Sequence, residues 1–200
     1  MQNDPSEPGR RMTDPSQPPT EAPPTGTRRQ SSLVLVNTGD GKGKSTAAFG
    51  TAMRAVARGW KVGVVQFLKS GEWSVGEEKT GRLLGIDWWA LGDGFTWDSE
   101  DMEESEAIAR EAWGQARERM ASGEYQLMVL DEITYPINWG WIEIDEVMAA
   151  IRDRPPALNL ILTGRDAPAG LIATADTVTE MRKVKHAFDS GIAARRGIDY

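Results

Sequence analysis

Short apolar runs alternate with longer segments of helical periodicity along most of this chain. The runs are apolar at nearly every position, which is typical of strands buried on both faces of a parallel sheet. The longer segments carry apolar residues three or four positions apart, as amphipathic helices do. The pattern predicts strands at residues 33–36, 62–67, 86–91, 127–130 and 158–162, an edge strand at 177–180, and helices at 44–58, 99–122 and 144–151. We therefore expect an α/β fold whose mostly parallel central sheet carries helices on both faces.

Residues 1–32 lack this pattern. They hold most of the 11 prolines and contain no aromatic residue. Such a segment buries too little apolar surface to offset the entropy that it would lose on ordering. We predict a disordered, proline-rich tail at residues 1–32 and a single domain at residues 33–200.

Composition restricts the chemistry that this domain can perform. The chain has no cysteine and one histidine, His186, which excludes disulfides, thiolate nucleophiles and multi-histidine zinc sites. Its formal net charge of −7 argues against nucleic-acid and anionic-membrane partners, and no apolar run is long enough to span a membrane. We expect a cytoplasmic protein that binds neither nucleic acid nor membranes.

A glycine-rich loop follows the first predicted strand. Its glycines allow torsions that turn backbone N–H groups towards an anion, and the next helix points its positive end at the same place. Lys44 stands where a lysine reaches phosphate oxygens, and Ser45 stands where a hydroxyl ligates Mg²⁺. Thr38 occupies a position where the usual pattern has glycine. The alternative interpretation of the whole loop is a glycine-rich turn between strand and helix that binds no ligand. The predicted nucleotide site comprises Thr38, Gly39, Asp40, Gly41, Lys42, Gly43, Lys44, Ser45 and Thr46.

Two carboxylates end the fourth predicted strand, Asp131 and Glu132. At the carboxyl end of a neighbouring parallel strand, a carboxylate faces the metal ion that accompanies a bound nucleotide. A turn or helix-capping acid is the alternative. With the glycine-rich loop present, we predict that Ser45 and Asp131 or Glu132 carry Mg²⁺ (or Mn²⁺).

Several segments, taken together and in order, resemble the P-loop ATP:corrinoid adenosyltransferases of vitamin B12 biosynthesis. The resemblance covers residues 33–200, and the Thr38 form of the loop belongs to it. It implies a P-loop NTPase (RecA-like) fold. The matching segments are Val-Val-Gln-Phe-Leu-Lys at 64–69, Gly-Phe-Thr-Trp-Asp at 94–98, Val-Leu-Asp-Glu-Ile-Thr-Tyr at 129–135, Leu-Thr-Gly-Arg at 162–165, Arg-Lys-Val-Lys-His-Ala-Phe-Asp at 182–189 and Gly-Ile-Asp-Tyr at 197–200.

The resemblance also implies a reaction. A reduced Co(I) corrinoid attacks the ribose C5′ of ATP, forms a cobalt–carbon bond and expels inorganic triphosphate, so the enzyme needs no protein base. Lys44 and Lys42 are then the catalytic residues, since they hold the departing triphosphate. Phe95 and Trp97 match aromatic residues that fill the lower face of the corrin and exclude its axial ligand. A flavoprotein reductase and a second copy of the chain, in a homodimer, are the implied partners.

Other interpretations remain open. A P-loop ATPase or small-molecule kinase would act at the γ-phosphate, and in the ATPase Glu132 would be the base that activates water. A nucleotide-gated regulatory module or RecA-like motor is a third possibility, although the acidic composition disfavours binding to DNA. Arg165, after the fifth predicted strand, contacts phosphate or corrin in one interpretation and forms a surface ion pair in the other. We expect His186 to pack or to form hydrogen bonds near the C-terminus.

Overall fold

Parallel strands form the centre of this protein. The computed structural model describes residues 30–69, 76–92 and 102–199. Within these ranges the strands lie in the order β3-β2-β4-β5-β1-β6, and each strand pairs parallel to its neighbours. The strands are β1 (Val34–Thr38), β2 (Val62–Gln66), β3 (Asp87–Ala90), β4 (Leu127–Asp131), β5 (Asn159–Thr163) and β6 (Thr177–Glu180).

Helices connect these strands. The long periodic segments form α1, α3 and α5, as predicted, within two residues at each described end. A 3₁₀ turn, Ala187–Ser190, follows the last strand. The helices are α1 (Lys44–Val56), α2 (Gly76–Leu83), α3 (Met102–Ala121), α4 (Thr134–Asn138), α5 (Ile144–Arg152) and α6 (Ala169–Thr174).

Both faces of the sheet are covered. On one face α1 packs Ala48, Phe49 and Ala52 against strand residues that include Val64 and Val129. On the other face, α3, α5 and α6 bury apolar residues against alternate strand positions, for example Trp113 of α3 against the cluster that contains Leu130. The α/β fold with a parallel sheet and helices on both faces is thus confirmed. Within the described ranges, no helix has the length and apolar character that crossing a membrane requires.

The apolar pattern does not predict α2, α4 and α6. In α2 the sequence is polar and Gly81 is its buried residue, so it has almost no apolar stripe. Helices α4 and α6 span five and six residues, too few for a helical period to be visible. The predicted tail at residues 1–32 lies almost wholly outside the described residues, so that division of the chain stays a prediction.

Parallel strands bring their carboxyl ends to one edge of the sheet. The glycine-rich loop leaves β1 at this edge, Asp131 ends β4 there, and Arg165 lies just beyond β5. In the sheet β1 lies between β5 and β6, and β4 lies on the far side of β5. The fold therefore gathers the predicted site residues of β1, β4 and β5 at a single edge.

Candidate nucleotide site

The glycine-rich loop leads directly into α1. Gly43 immediately precedes the helix with φ of 117°, a left-handed torsion that favours glycine. No side chain caps the N-terminus of α1 within the described ranges. The positive end of the helix dipole and the backbone N–H groups of its first turn therefore face the loop, where an anion would be stabilised.

Lys44 lies folded over this loop. Its Nζ donates hydrogen bonds to the carbonyl oxygens of Gly39, at 2.7 Å, and Gly41, at 2.8 Å. Burial lowers the pKa of Lys44, with a further contribution from the positive charge of Arg165, whereas Asp40, Glu132 and Asp131 raise it. The ammonium group is thus held at the centre of the loop, close to both the acids and the arginine of the predicted site.

Thr38 fixes the start of the loop. Its side chain is buried, and its hydroxyl accepts a hydrogen bond of 3.0 Å from the N–H of Ala167. Thr38 thereby joins the end of β1 to the loop that follows β5, which carries Arg165. A glycine at this position would provide no such hydroxyl, so the threonine has a structural reason that sequence reasoning did not supply.

Gly41 is held by the segment that follows β6. Its N–H donates a hydrogen bond of 2.6 Å to the carbonyl oxygen of Met181. A Cβ on Gly41 would lie 2.6 Å from that same oxygen, so a larger residue does not fit without a shift. We expected the N–H groups of this loop to turn towards an anion, and the N–H of Gly41 instead bonds to the chain itself.

A cavity of about 470 Å³ opens beside the loop. Five of its lining side chains carry, or can carry, a positive charge, and they come from three separate parts of the chain. A polyphosphate is the kind of anion that such a concentration of cations binds. The lining residues are Asp40, Gly41, Lys42, Lys44, Arg165, Lys183, His186, Phe188 and Asp189.

Asp131 is fully buried and held from two sides. Gln66 Nε2 donates to one carboxylate oxygen at 3.0 Å, and Thr163 Oγ1 donates to the other at 2.8 Å. Gln66 in turn accepts a hydrogen bond of 2.8 Å from the indole N–H of Trp88. This network, formed by side chains of β2, β3, β4 and β5, satisfies the buried carboxylate.

Glu132 has a different environment. Burial and the neighbouring Asp131 raise its pKa to about 7, while Lys69, Lys44 and Arg165 act in the opposite direction. Its N–H donates a hydrogen bond of 2.9 Å to Thr163 Oγ1. Its φ is 66°, an uncommon torsion for a residue other than glycine, and such torsions concentrate at functional sites. Glu132 is therefore the strand-end acid whose charge interacts with Lys69, Lys44 and Arg165.

The donor set at this edge suits a magnesium ion that arrives with a nucleotide. Within the described ranges, no three His, Asp or Glu residues form a cluster that would hold a metal ion. The Ser45 hydroxyl and the Glu132 carboxylate provide oxygen donors of the kind that Mg²⁺ prefers. Magnesium usually takes its other ligands from phosphate oxygens and water. The residues present therefore fit a nucleotide-bound Mg²⁺.

Half of the predicted nucleotide-binding residues thus line one cavity. Asp40, Gly41, Lys42, Lys44 and Arg165 line the cavity beside the loop. Thr46 instead lines a second, more apolar cavity of about 410 Å³, together with Phe49 and Trp88. Phe95 and Trp97 lie outside the described residues. None of the binding roles is tested by this arrangement, and they stay predictions.

Sequence reasoning missed the contribution of the C-terminal segment to this cavity. The sequence indicates no site role for Lys183, and for His186 it predicts only packing or hydrogen bonding near the C-terminus. His186 does accept a local hydrogen bond of 3.2 Å, from the N–H of Phe188, but it also lines the cavity. No spacing rule connects a residue near position 185 to a loop near position 40, because only the pairing of β6 with β1 brings them together.

A family model and several known proteins that are similar to this chain carry the same enzyme description. Residues 30–200 match the family model described as ATP:corrinoid adenosyltransferase BtuR/CobO/CobP. The chain is similar to the corrinoid adenosyltransferase of Escherichia coli (strain K12), with 45% identity over 168 residues, which cover 84% of this chain and 85% of that protein. It is 43% identical over 175 residues to the corrinoid adenosyltransferase of Pseudomonas aeruginosa, covering 86% of each chain. It is also 42% identical over 168 residues to the corrinoid adenosyltransferase CobA of Salmonella typhimurium, covering 84% of this chain and 85% of that protein.

Proposed function

This chain belongs to the ATP:corrinoid adenosyltransferase family BtuR/CobO/CobP, and from that premise we propose how its residues transfer the adenosyl group of ATP to the cobalt of a corrinoid. The substrate cobalt, as Co(I), supplies the electron pair that attacks the ribose C5′. A cobalt–carbon bond forms, the bond between C5′ and its phosphate oxygen breaks, and triphosphate departs with the bonding electrons. The cobalt becomes formally Co(III). Because the nucleophile is the substrate metal, the protein has to position the reactants and stabilise the leaving group.

Stabilisation of the leaving group falls to the cations of the cavity. Negative charge grows on the triphosphate as the carbon–oxygen bond breaks, so groups that bind triphosphate more tightly than ATP lower the barrier. Lys44 and Lys42 are the proposed catalytic residues, and Arg165 is proposed to contact the same phosphates. The convergence of these three side chains on one cavity is the observation that carries the proposal.

Magnesium is proposed to bind through Ser45 and Glu132. When bound, the ion would neutralise part of the triphosphate charge and so make it a better leaving group. Asp131, named beside Glu132 as a candidate ligand, is fully buried with hydrogen bonds to both of its oxygens. We propose that Asp131 holds the end of β4 in place and orients the hydroxyl of Thr163. Glu132 then provides the carboxylate oxygen for the magnesium ion.

Corrinoid binding is proposed for Phe95 and Trp97, which lie outside the described residues. In this proposal the two aromatic side chains fill the lower face of the corrin and displace its axial donor. Removing a donor from Co(II) lowers the energy of the orbital that accepts the incoming electron. Reduction to Co(I) then becomes feasible for a biological reductant, for which we propose a flavoprotein.

The assembly and location of the protein are proposed from the same premise. We propose a homodimer, the state that the family resemblance implies. A cytoplasmic location would place the enzyme with ATP and with a flavoprotein reductant. Analytical ultracentrifugation would test the dimer, and a single sedimenting species of 22.0 kDa would contradict it.

The reaction itself is tested by the phosphorus products. The full chain is incubated anaerobically with ATP, Mg²⁺ and a chemically reduced corrinoid, and the mixture is followed by visible absorbance and then by phosphorus NMR. We expect a light-sensitive adenosylated corrinoid and one equivalent of intact tripolyphosphate. ADP with orthophosphate, and no adenosylated product, would contradict the proposal and favour hydrolysis or transfer at the γ-phosphate.

A further inference from the structure

The chain that follows β6 passes directly over the glycine-rich loop. Met181 N–H donates a hydrogen bond of 2.8 Å to the carbonyl oxygen of Thr38, and Met181 accepts one of 2.6 Å from the N–H of Gly41. These two bonds bracket the loop and extend the parallel pairing of β6 with β1. Met181 is therefore fixed against the start of the phosphate site, and the segment that follows it begins there.

Two residues of this segment, a lysine and a histidine, face the site. Lys183 and His186 line the same cavity as Lys42, Lys44 and Arg165. Neither belongs to the glycine-rich loop or to the strand-end acids. Lys185, which lies between them in sequence, is exposed and does not line the cavity. The segment thus presents the Lys183 ammonium group and the His186 imidazole to the phosphate site.

Two of the lysines that line the cavity form ion pairs with carboxylates. Lys183 Nζ lies 3.1 Å from an oxygen of Asp189. Lys42 Nζ lies 2.5 Å from an oxygen of Asp199, whose other oxygen accepts a hydrogen bond of 2.7 Å from the N–H of Arg195. Both carboxylates come from the C-terminal segment, and both ion pairs are partly exposed to solvent. Exposed pairs of this kind are weak and readily exchange partners.

We propose that Lys183 and His186 bind the triphosphate of ATP, and that the triphosphate displaces Asp189 from Lys183 and Asp199 from Lys42. The C-terminal segment then forms the second wall of the leaving-group site, opposite the glycine-rich loop. A triphosphate carries more charge than the carboxylates that it replaces, so the exchange favours the nucleotide. This inference rests on the proposed function, because it assigns further ligands to the same triphosphate.

Binding of inorganic tripolyphosphate to the full chain tests the inference without a corrinoid. Isothermal titration calorimetry compares the unaltered protein with Lys183→Gln, His186→Gln and the matched control Lys185→Gln. We expect the Kd to rise about tenfold for Lys183→Gln and severalfold for His186→Gln, as loss of a charge-assisted hydrogen bond to phosphate would produce. The control should stay within about twofold. Equal weakening by Lys183→Gln and Lys185→Gln would overturn the inference, since it would reflect only the general surface charge.

Substitution of the two carboxylates should change tripolyphosphate affinity in the opposite direction. Asp199→Asn and Asp189→Asn free Lys42 and Lys183, so each is expected to tighten tripolyphosphate binding severalfold. Weaker or unchanged binding by both variants would show that the carboxylates do not compete with the anion, and would overturn the exchange. All the substituted side chains lie at or near the surface, so the thermal midpoint of each variant should stay within a few degrees of the unaltered protein.

The outcomes separate this inference from the proposed function. One outcome is that the protein adenosylates a corrinoid and releases tripolyphosphate while Lys183→Gln binds tripolyphosphate just as Lys185→Gln does. In that case the proposed function stands and the inference of a second wall is overturned. A protein that binds no tripolyphosphate and forms no adenosylated product contradicts both.

Discussion

Asp131 and Glu132 are adjacent in sequence, yet their surroundings give them different chemistry. The carboxylate of Asp131 receives hydrogen bonds from Gln66 and Thr163 and has no exposed surface. Glu132 is partly exposed and lies in the field of Lys69, Lys44 and Arg165. A buried, fully bonded acid maintains the geometry of a strand end, whereas the neighbouring acid is free to exchange its partners when a nucleotide and its cation arrive.

The raised pKa of Glu132 makes the stability of the protein depend on pH. The folded protein holds this proton up to about pH 7, whereas the ordinary value for glutamate is 4.5. Stability from this group is therefore complete below about pH 4.5 and is lost as the pH rises through 7. We expect Glu132→Gln to stabilise the unliganded protein by on the order of 2 kcal/mol more at pH 8 than at pH 5.

Urea unfolding at the two pH values measures this difference. Glu118→Gln, on the exposed face of α3, is the matched control and should change stability equally at both. An equal effect of Glu132→Gln at pH 5 and pH 8 would show that the pKa of this carboxyl group is not raised in the folded protein.

Trp97 is the residue whose proposed role is most specific to the reduction step. Trp97→Ala is expected to leave ATP affinity within about twofold while lowering turnover of a Co(II) corrinoid by at least about tenfold, because the axial donor is no longer excluded. Turnover with a corrinoid already reduced to Co(I) should change little. Trp60→Ala, at an exposed position beyond α1, serves as the control. Equal loss with Co(II) and Co(I) substrates would refute this role for Trp97.

Among the elements, the strand–loop–helix unit of β1 and α1 was predictable because its signals are local. The apolar run, the glycines and the helical periodicity lie within about 25 consecutive residues and require no knowledge of the rest of the chain. The pairing of β6 with β1 was not predictable, although the strand itself was. The reason is that a short edge strand contains no information about its neighbour. This pairing places Met181 on the loop.

Gly41→Ala tests the contact between these elements. The new Cβ would lie 2.6 Å from the oxygen of Met181 and 2.7 Å from its carbonyl carbon, so the loop or the segment must move. We expect a loss of about 1–3 kcal/mol in stability, together with weaker tripolyphosphate binding. Gly114→Ala is the control. Gly114 lies in α3, and a Cβ at this position would have no neighbouring atom within 4 Å. That control is expected to stabilise the protein by up to about 1 kcal/mol. Denaturant unfolding and calorimetry measure both effects, and equal behaviour of the two variants would contradict the close approach.

For the whole molecule, the sequence was sufficient to predict the α/β class and the edge of the sheet at which the site lies. Carboxyl ends of parallel strands share an edge, so the loop after β1 and the acids at the end of β4 had to lie at the same edge of the sheet. The order of the strands could not be read from the chain, and contacts such as that between Thr38 and Ala167 depend on that order. The same limitation hid Lys183 and His186, which reach the cavity only through the position of β6 at the sheet edge.

The central claim is that the bond broken in ATP joins the ribose C5′ to its phosphate oxygen, with substrate cobalt as the attacking atom. A single anaerobic turnover with ATP that carries ¹³C at C5′ and a chemically reduced corrinoid tests this most directly, with ¹³C NMR of the products in the dark. The claim predicts that the label appears in a carbon bonded to cobalt, in an amount equal to the tripolyphosphate released. Label found only in ADP or AMP, with the corrinoid unmodified, would contradict it.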